Sequence, residues 1–134
     1  MISERISVVI VESQPMMRNA LSTALSADGM MVLAEFSGSM QALHSVPQLE
    51  PDVVLLAVGT PGWVDLEVIV ALRKLMPASA IVALVTGEVP GQEQIALNQG
   101  AHLVLTKSIP RSELLNAIKR ISTRKFHSAS VQVT

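Results

Sequence analysis

The sequence contains no cysteine. A disulfide scaffold is therefore excluded, and the absence fits a reducing compartment. Charge is scarce as well: Asp, Glu, Lys and Arg make up 16% of the 134 residues, whereas globular domains average about 25%. The 10 basic and 11 acidic side chains leave a net charge of −1, so there is no overall positive field that would hold nucleic acid by its phosphates.

Long hydrophobic runs are also missing. The apolar run at residues 53–58 is typical of the longest, whereas a membrane-spanning helix needs about 20 apolar residues. The first residues lack the basic segment and apolar stretch of a signal peptide. The chain is nevertheless 49% hydrophobic, which excludes a disordered protein. We expect one soluble, cytoplasmic domain with no membrane association.

Short apolar runs recur along the chain and are rich in β-branched residues and leucine. They are nearly continuous rather than alternating, which is typical of strands in a parallel sheet that is covered on both faces. The predicted strands are residues 6–11, 31–36, 53–57, 81–85 and 103–105.

The stretches between these runs predict helices at residues 15–27, 38–46, 65–76, 90–99 and 111–121. Pro15 suits a first helical turn, Pro47 is expected to end the second helix, and Asp65 is expected to cap the third. The polar residues 122–130 predict a tail. We therefore expect a domain at residues 1–122, followed by a linker or tail at 123–134.

Five βα repeats with right-handed crossovers predict an α/β fold, a doubly wound parallel five-stranded sheet with helices on both faces. In such sheets, ligands bind at the loops that follow the carboxyl ends of the strands. These loops begin at Glu12, Ser37, Ala57, Thr86 and Thr106.

Three segments resemble the receiver domain of two-component response regulators, most closely the NarL/LuxR type. Residues 6–21 (ISVVIVESQPMMRNAL) follow the family's strand, acidic pair, proline and helix, and residues 51–62 (PDVVLLAVGTPG) follow its PDVVLLD-x-x-MPG segment. Residues 98–107 (NQGAHLVLTK) are similar to x-x-GA-x-GYLLK. The resemblance covers residues 6–121. It implies the flavodoxin-like (βα)5 fold and a role in phosphorelay signalling and transcription regulation.

The resemblance also implies a site. In the family, two acids after the first strand and an aspartate after the third hold Mg²⁺, and that aspartate accepts the phosphoryl group. A hydroxyl after the fourth strand and a lysine after the fifth contact the phosphoryl oxygens. Mg²⁺ prefers oxygen ligands and neutralises charge during such a transfer. The matching positions here are Glu12, Ser13, Ala57, Thr86 and Lys107.

Two of these positions depart from the family's chemistry. Ser13 replaces the second acid, and Ala57 replaces the phosphoryl acceptor with a methyl group that cannot attack phosphorus or bind a metal. Glu12 is the only acidic metal candidate left, and we expect it to pair with Lys107. The sequence thus predicts a degenerate pseudo-receiver without catalytic residues or cofactor, in which Mg²⁺ binding is weak or absent.

Further positions belong to the same expectation. Gly59 completes the vestigial pocket, and Val104 takes the place of the aromatic switch residue of many members. Ser108 replaces a proline, which puts the family's cis peptide there in doubt. Trp63 is a candidate interface anchor, or alternatively a cover for the emptied pocket.

Several side chains have more than one interpretation. Lys107 either anchors an anionic ligand or only neutralises Glu12, and Thr86 either contacts a ligand or caps its strand. Asp52 and Asp65 are not expected at the mouth of the site. The three histidines show no metal-ligand spacing and are expected at the surface. They are His44, His102 and His127.

The leading hypothesis is a regulatory interaction module rather than an enzyme. We expect a homodimer formed through a helical face, with a sensor kinase or another regulator as further partner. DNA would be contacted only through a separate domain, because residues 125–131 are similar to the stretch that leads into a helix-turn-helix domain. The alternative is a small-ligand sensor that uses the emptied acidic pocket.

Overall fold

The computed structural model describes the backbone of residues 5–131 and the side chains of residues 5–122. Strands and helices alternate five times. They are β1 Ser7–Val11, α1 Pro15–Ala27, β2 Met31–Phe36, α2 Ser39–Leu49, β3 Val53–Ala57, α3 Trp63–Leu75, β4 Ala80–Val85, α4 Gln92–Gln99, β5 Leu103–Thr106 and α5 Arg111–Val131. The strands form one parallel sheet in the order β2-β1-β3-β4-β5. The predicted doubly wound, flavodoxin-like fold is confirmed.

The sheet separates two apolar layers. Side chains of α1 and α5 pack on one face, for example Leu25 and Ile118. Side chains of α2, α3 and α4 pack on the other, for example Val46, Ile69 and Ala96. Every residue of β3 and β4 is buried. The two covered faces explain why these strands are continuous apolar runs in the sequence.

The predicted end of α2 is wrong. The helix continues through Pro47 to Leu49 and ends where Glu50 adopts a left-handed conformation with φ 47°. Pro47 lies in the last turn, where its missing N–H removes one hydrogen bond to the preceding turn. That loss near the end of a helix is small enough for the chain to continue.

The predicted starts of α3 and α4 are also shifted. Gly62 precedes α3 with φ 81°, so Asp65 is the third residue of the helix and not its cap, and Trp63 is the first residue of the helix rather than part of the loop. Gly91 precedes α4 with φ 80°, and the helix begins at Gln92 instead of residue 90. Both helices start after a glycine whose left-handed conformation other residues rarely adopt.

The predicted end of α5 at residue 121 is wrong as well. The helical backbone continues to Val131, through the stretch expected to be a polar tail. No glycine or proline occurs between residues 111 and 131, so the usual signals that end a helix are missing. The side chains from residue 123 onward, including His127, lie outside the described part, and the division at residue 122 stays a prediction.

Within the described part of the chain, no helix has both the length and the hydropathy that crossing a bilayer requires.

Candidate functional site

The strand register places the predicted pocket residues at one edge of the sheet. Val11 of β1 pairs with Leu56 of β3, so the residues that follow, Glu12 and Ala57, are neighbours at the carboxyl ends of these strands. Val85 of β4 pairs with Thr106 of β5 in the same way. Thr86 and Lys107 therefore follow adjacent strand ends. We call this side of the sheet the carboxyl edge.

Glu12 is the acidic group of this edge and is 1% exposed. Its Oε2 accepts a hydrogen bond from the Gln14 amide at 2.9 Å. Its Oε1 lies 3.7 Å from Lys107 Nζ. The ion pair expected from the sequence is present, but this distance is longer than a hydrogen bond. Oε1 has no hydrogen-bond partner among the described residues, so a buried carboxylate oxygen is only loosely neutralised.

Ala57 ends β3 and is 9% exposed. Its methyl group belongs to the apolar cluster on the α1 and α5 face, together with Ile10 and Leu84. Ser13, the residue predicted to stand in place of the second acid, is exposed. The side-chain oxygens that Glu12 and Ser13 offer to a metal ion here are thus one carboxylate and one hydroxyl. Among the described residues, no three His, Cys, Asp or Glu side chains are grouped closely enough to hold a metal.

Thr86 is half-buried, and its Oγ1 accepts a hydrogen bond from the Glu88 amide at 3.2 Å. This contact corresponds to the capping role that was one of its two interpretations. Lys107 is anchored through its backbone, because its amide donates to the Val85 carbonyl at 2.7 Å. Its side chain is 21% exposed. The ammonium group therefore reaches both Glu12 and solvent.

The loop between β3 and α3 is held by side chains from three helices. The Gly59 amide donates to Asp65 Oδ2 at 2.8 Å, and Ser39 Oγ donates to Asp65 Oδ1 at 2.6 Å. Gln92 Nε2 donates to the carbonyls of Gly59 and Pro61 at 3.1 and 3.2 Å. Both polar groups of the Gly59 backbone are thereby occupied. The loop that follows Ala57 is fixed to α2, α3 and α4.

Gly62 makes this closed loop sterically feasible. A Cβ atom at this position would lie 2.5 Å from the Gly59 carbonyl oxygen and 2.8 Å from Gln92 Nε2. Combined with its positive φ, this crowding restricts the position to glycine. The peptide bond between Thr60 and Pro61 is cis.

The sequence interpretation missed the loop contacts of Asp65 and Gln92. For Asp65 a signal exists, since an acid three residues after a glycine that starts a helix is placed to bind the preceding loop. For Gln92 none exists, because a glutamine in the first turn of a short helix is normally exposed, whereas this one is 2% exposed.

Two predicted positions lie beside the pocket. Val104 is half-buried and packs on the cluster that contains Ala96. Trp63 is 62% exposed and its neighbour Val64 is 54% exposed. Its role at an interface stays a prediction.

The opposite side of the sheet, which we call the amino edge, holds Asp52 and His102. The Ser7 amide and hydroxyl donate to Asp52 Oδ2 at 2.9 and 3.2 Å, so this acid is far along β3 from Ala57, as expected. The Ile81 amide donates to His102 Nδ1 at 3.0 Å. Partial burial of the imidazole, with a smaller contribution from the Arg73 guanidinium, lowers the pKa of His102. His44 is exposed, as expected, and His102 is exposed as a residue although its imidazole is partly buried.

Comparison with known families gives a direct match. The model of the response regulator receiver domain matches residues 8–119. The chain belongs to the response regulator receiver family. This match spans the sheet and all five strands, so the assignment rests on the whole domain rather than on one motif.

Curated relatives place this receiver among NarL/LuxR-type regulators. The transcriptional regulatory protein DesR of Bacillus subtilis (strain 168) is 32% identical over 121 residues, which cover 90% of this chain and 60% of DesR. The nitrate/nitrite response regulator protein NarL of Escherichia coli (strain K12) is 28% identical over 116 residues, which cover 86% of this chain and 54% of NarL. The receiver thus spans little more than half the length of these two relatives.

Solved structures agree. The receiver domain of the putative response regulator NarL from Mycobacterium tuberculosis superimposes with a TM-score of 0.82 and 28% sequence identity, over 90% of this chain and 98% of that one. A CheY-like receiver from Methanospirillum hungatei JF-1 has a TM-score of 0.84, over 93% of this chain and 99% of that one, but 17% identity. The latter shows the shared fold alone. The chain is a receiver domain of two-component signalling.

Proposed function

We propose that this receiver acts without phosphorylation, as a regulatory module for interaction and dimerisation. It would control transcription through a DNA-binding domain outside the chain described here, with a sensor kinase or another regulator as its partner. The observation that carries the proposal is the end of β3, where Ala57 contributes a buried methyl group. Phosphoryl transfer needs a nucleophile at the reacting atom, and a methyl group has no lone pair to supply.

Other candidate acceptors are engaged elsewhere. The Asp52 carboxylate accepts two hydrogen bonds from Ser7 at the amino edge. The two oxygens of Asp65 accept hydrogen bonds from the Ser39 hydroxyl and from the Gly59 amide in the loop after β3. Glu12 is 1% exposed and faces Lys107. Each of these three carboxylates would have to break such a contact before it could meet a phosphodonor.

The same residues do not fit Mg²⁺. That ion requires near-octahedral oxygen coordination and in proteins uses carboxylates together with water and phosphate oxygens. Here the carboxylate candidate is Glu12, which already has the Lys107 ammonium at 3.7 Å, and Ala57 supplies no oxygen. The Gly59 carbonyl is occupied by Gln92 Nε2. This donor set supports the proposal that Mg²⁺ binding is weak or absent; that the receiver works without any cofactor is part of the same proposal.

Exposed apolar side chains support a role in association. Trp63 is 62% and Leu97 40% exposed, on α3 and α4. Large apolar side chains at the surface of a charge-poor domain are common at protein interfaces. The alternative, a ligand in the emptied pocket between Glu12 and Ala57, is less favoured because both residues are almost completely buried. A non-enzymatic role and a cytoplasmic location remain part of the proposal.

Sedimentation velocity tests both halves of this proposal. The chain is measured over a concentration series, with and without Mg²⁺ and the phosphodonor acetyl phosphate. We expect the same monomer–dimer equilibrium in both conditions. Association only with the phosphodonor would show an ordinary phosphorylation switch, and a monomer in both conditions would contradict the dimerisation role.

Trp63→Ala tests the candidate interface residue. We expect this substitution to weaken the dimer about tenfold or more, since an aromatic residue central to an interface often contributes over 1.4 kcal/mol. Leu75→Ala is the matched control, because Leu75 is exposed on the same helix. An equal effect of the two substitutions would exclude a specific role for Trp63.

A further inference from the structure

A groove of about 700 Å³ opens on the face of the sheet that α1 and α5 cover. Met17 and Ala20 of α1 form one wall, Leu114 of α5 forms the other, and Leu84 of β4 lies at the bottom. This volume is in the range of sites for small organic molecules, about 300–1,000 Å³. The groove differs from the emptied pocket, where Glu12 and Ala57 are buried.

The charge of the groove is positive. Lys107 and Arg111 line it, and the described lining residues include no acid. The Arg111 guanidinium has no ion pair or hydrogen bond with another described side chain. Lys107 is only loosely held by Glu12, at 3.7 Å. Two cationic groups are thus available beside an apolar wall.

Ala57 contributes indirectly to this arrangement. It pairs in register with Leu84, the residue at the bottom of the groove, and both belong to the same apolar cluster. Neighbouring residues in register point to the same face of a sheet. A carboxylate at position 57 would therefore place a negative charge beside Lys107, next to the groove. Alanine leaves this region apolar and leaves the lysine charge less compensated.

We propose that this groove binds an amphipathic organic anion, namely a carboxylate with an aliphatic chain. The carboxylate contacts Arg111 and Lys107, and the chain lies along Met17, Ala20 and Leu114. The groove shares Lys107 with the vestigial pocket, but Glu12 and Ala57 of that pocket do not line it. It is linked to that pocket because Lys107 faces both, so a bound carboxylate competes with Glu12 for the ammonium group.

Methionine methyl NMR provides a direct test, with decanoate as the probe. Met16 and Met17 line the groove, whereas Met40 lies on α2 at the opposite face and is exposed. We expect decanoate, below the concentration at which it forms micelles, to shift the Met16 and Met17 signals saturably and to leave Met40 unchanged. Decanol and inorganic phosphate, which supply the chain or the charge alone, are expected to bind at least about tenfold more weakly.

Three substitutions sharpen the test. Arg111→Gln is expected to weaken decanoate binding about tenfold, the effect of losing one charge-assisted contact. Arg120→Gln removes an exposed arginine of the same helix outside the groove and is expected to change binding less than twofold. Ala57→Asp is expected to weaken binding, because its carboxylate compensates Lys107. Unchanged Met40 and amide spectra would show that each variant is folded.

Other results would overturn the proposal. Equal shifts of all exposed methionines would show nonspecific adsorption, and equal effects of Arg111→Gln and Arg120→Gln would exclude a defined anion contact. If phosphate bound saturably and as tightly as decanoate, the apolar wall would contribute nothing to affinity, and the proposal would be wrong. A further contrary result is that the Met16 and Met17 signals shift as the protein concentration rises without decanoate, and that decanoate then no longer binds. That result would overturn the proposal, because it would show that a second copy of the chain covers the groove.

Discussion

The polar groups at the two edges of the sheet differ in how completely they are hydrogen-bonded. At the amino edge, Asp52 and Ser7 bind each other through both backbone and side chain, at 2.9 to 3.2 Å. His102 accepts a hydrogen bond from the neighbouring strand. At the carboxyl edge, Glu12 Oε1 and Gln92 Oε1 are buried without a hydrogen-bond partner among the described residues.

This difference in hydrogen bonding distinguishes polar groups that stabilise the fold from polar groups that belong to the candidate site. Buried polar atoms are nearly always hydrogen-bonded, and exceptions require a reason. Asp52, Ser7 and His102 at the amino edge are hydrogen-bonded and join strands. At the carboxyl edge, Glu12 lies in the site that we propose to be vestigial, in which Ala57 and Ser13 would replace two carboxylates, whereas Gln92 holds the adjoining loop. The remaining groups are only partly compensated.

Asp52→Ala is expected to have the largest effect on stability. It leaves the amide and hydroxyl of Ser7 without their acceptor, which should lower the free energy of unfolding by about 3 kcal/mol. Urea denaturation followed by circular dichroism measures the change. Asp52→Asn retains an acceptor oxygen and should lose less. A change under about 0.5 kcal/mol for Asp52→Ala, typical of a surface site, would show that the amino edge does not depend on this contact.

Asp65→Ala is expected to have the next largest effect on stability. Its carboxylate binds Ser39 and the Gly59 amide, so we expect a loss of about 2 kcal/mol together with faster hydrogen exchange of the Gly59 amide. Glu67→Ala, at an exposed acid of the same helix, is the control and should have little effect. Unchanged protection of Gly59 in Asp65→Ala would show that Gln92 alone holds the loop.

Protonation of His102 is expected to change the stability by a smaller amount. Because the pKa of His102 in the folded chain is lowered from 6.5, the unfolded chain takes up the proton first as the pH falls. The stabilising contribution is therefore complete above about pH 6.5, the ordinary pKa of histidine, and is lost as the pH falls through the folded-state pKa. Urea denaturation between pH 5 and 8 should show this loss in His44→Gln, the control, but not in His102→Gln. Identical pH profiles for the two variants would assign the effect to other groups.

Glu12→Gln is expected to have the smallest effect, within about 1 kcal/mol of zero. The amide oxygen still accepts the Gln14 hydrogen bond, and the ion pair it removes is 3.7 Å long. The same denaturation measurement applies. A loss above about 2 kcal/mol, as expected when a tight buried ion pair is broken, would show that Glu12 and Lys107 stabilise the carboxyl edge as strongly as Asp52 stabilises the amino edge.

Apolar patterning predicts most of this fold. The strands β3 and β4 are identifiable because both of their faces are covered, which requires an apolar residue at nearly every position. Helix ends are less predictable, since Pro47 is tolerated in the last turn of α2 and no glycine or proline ends α5 near residue 121. That Glu12, Ala57 and Lys107 lie at one edge is predictable because strand ends converge in a parallel sheet, whereas their assignment to a site comes from the resemblance to the receiver family.

The contacts that close the site are not predictable in the same way. Gln92 binds the carbonyls of Gly59 and Pro61 from a helix more than 30 residues further along the chain. Such a contact depends on how α4 packs against the loop, and glutamine itself has no pattern that marks it as buried. The groove beside Lys107 and Arg111 likewise depends on the spacing between α1 and α5, which no local motif encodes.

Intact-mass spectrometry after incubation with Mg²⁺ and acetyl phosphate tests the central claim, that the receiver scaffold remains without its phosphoryl chemistry. We expect no adduct on the natural chain. We expect a base-labile phosphoryl adduct on the double variant Ser13→Asp with Ala57→Asp, in which the carboxylate introduced at position 57 attacks phosphorus and acetate leaves. A stoichiometric, base-labile adduct on the natural chain would contradict the account and identify another carboxylate as the acceptor.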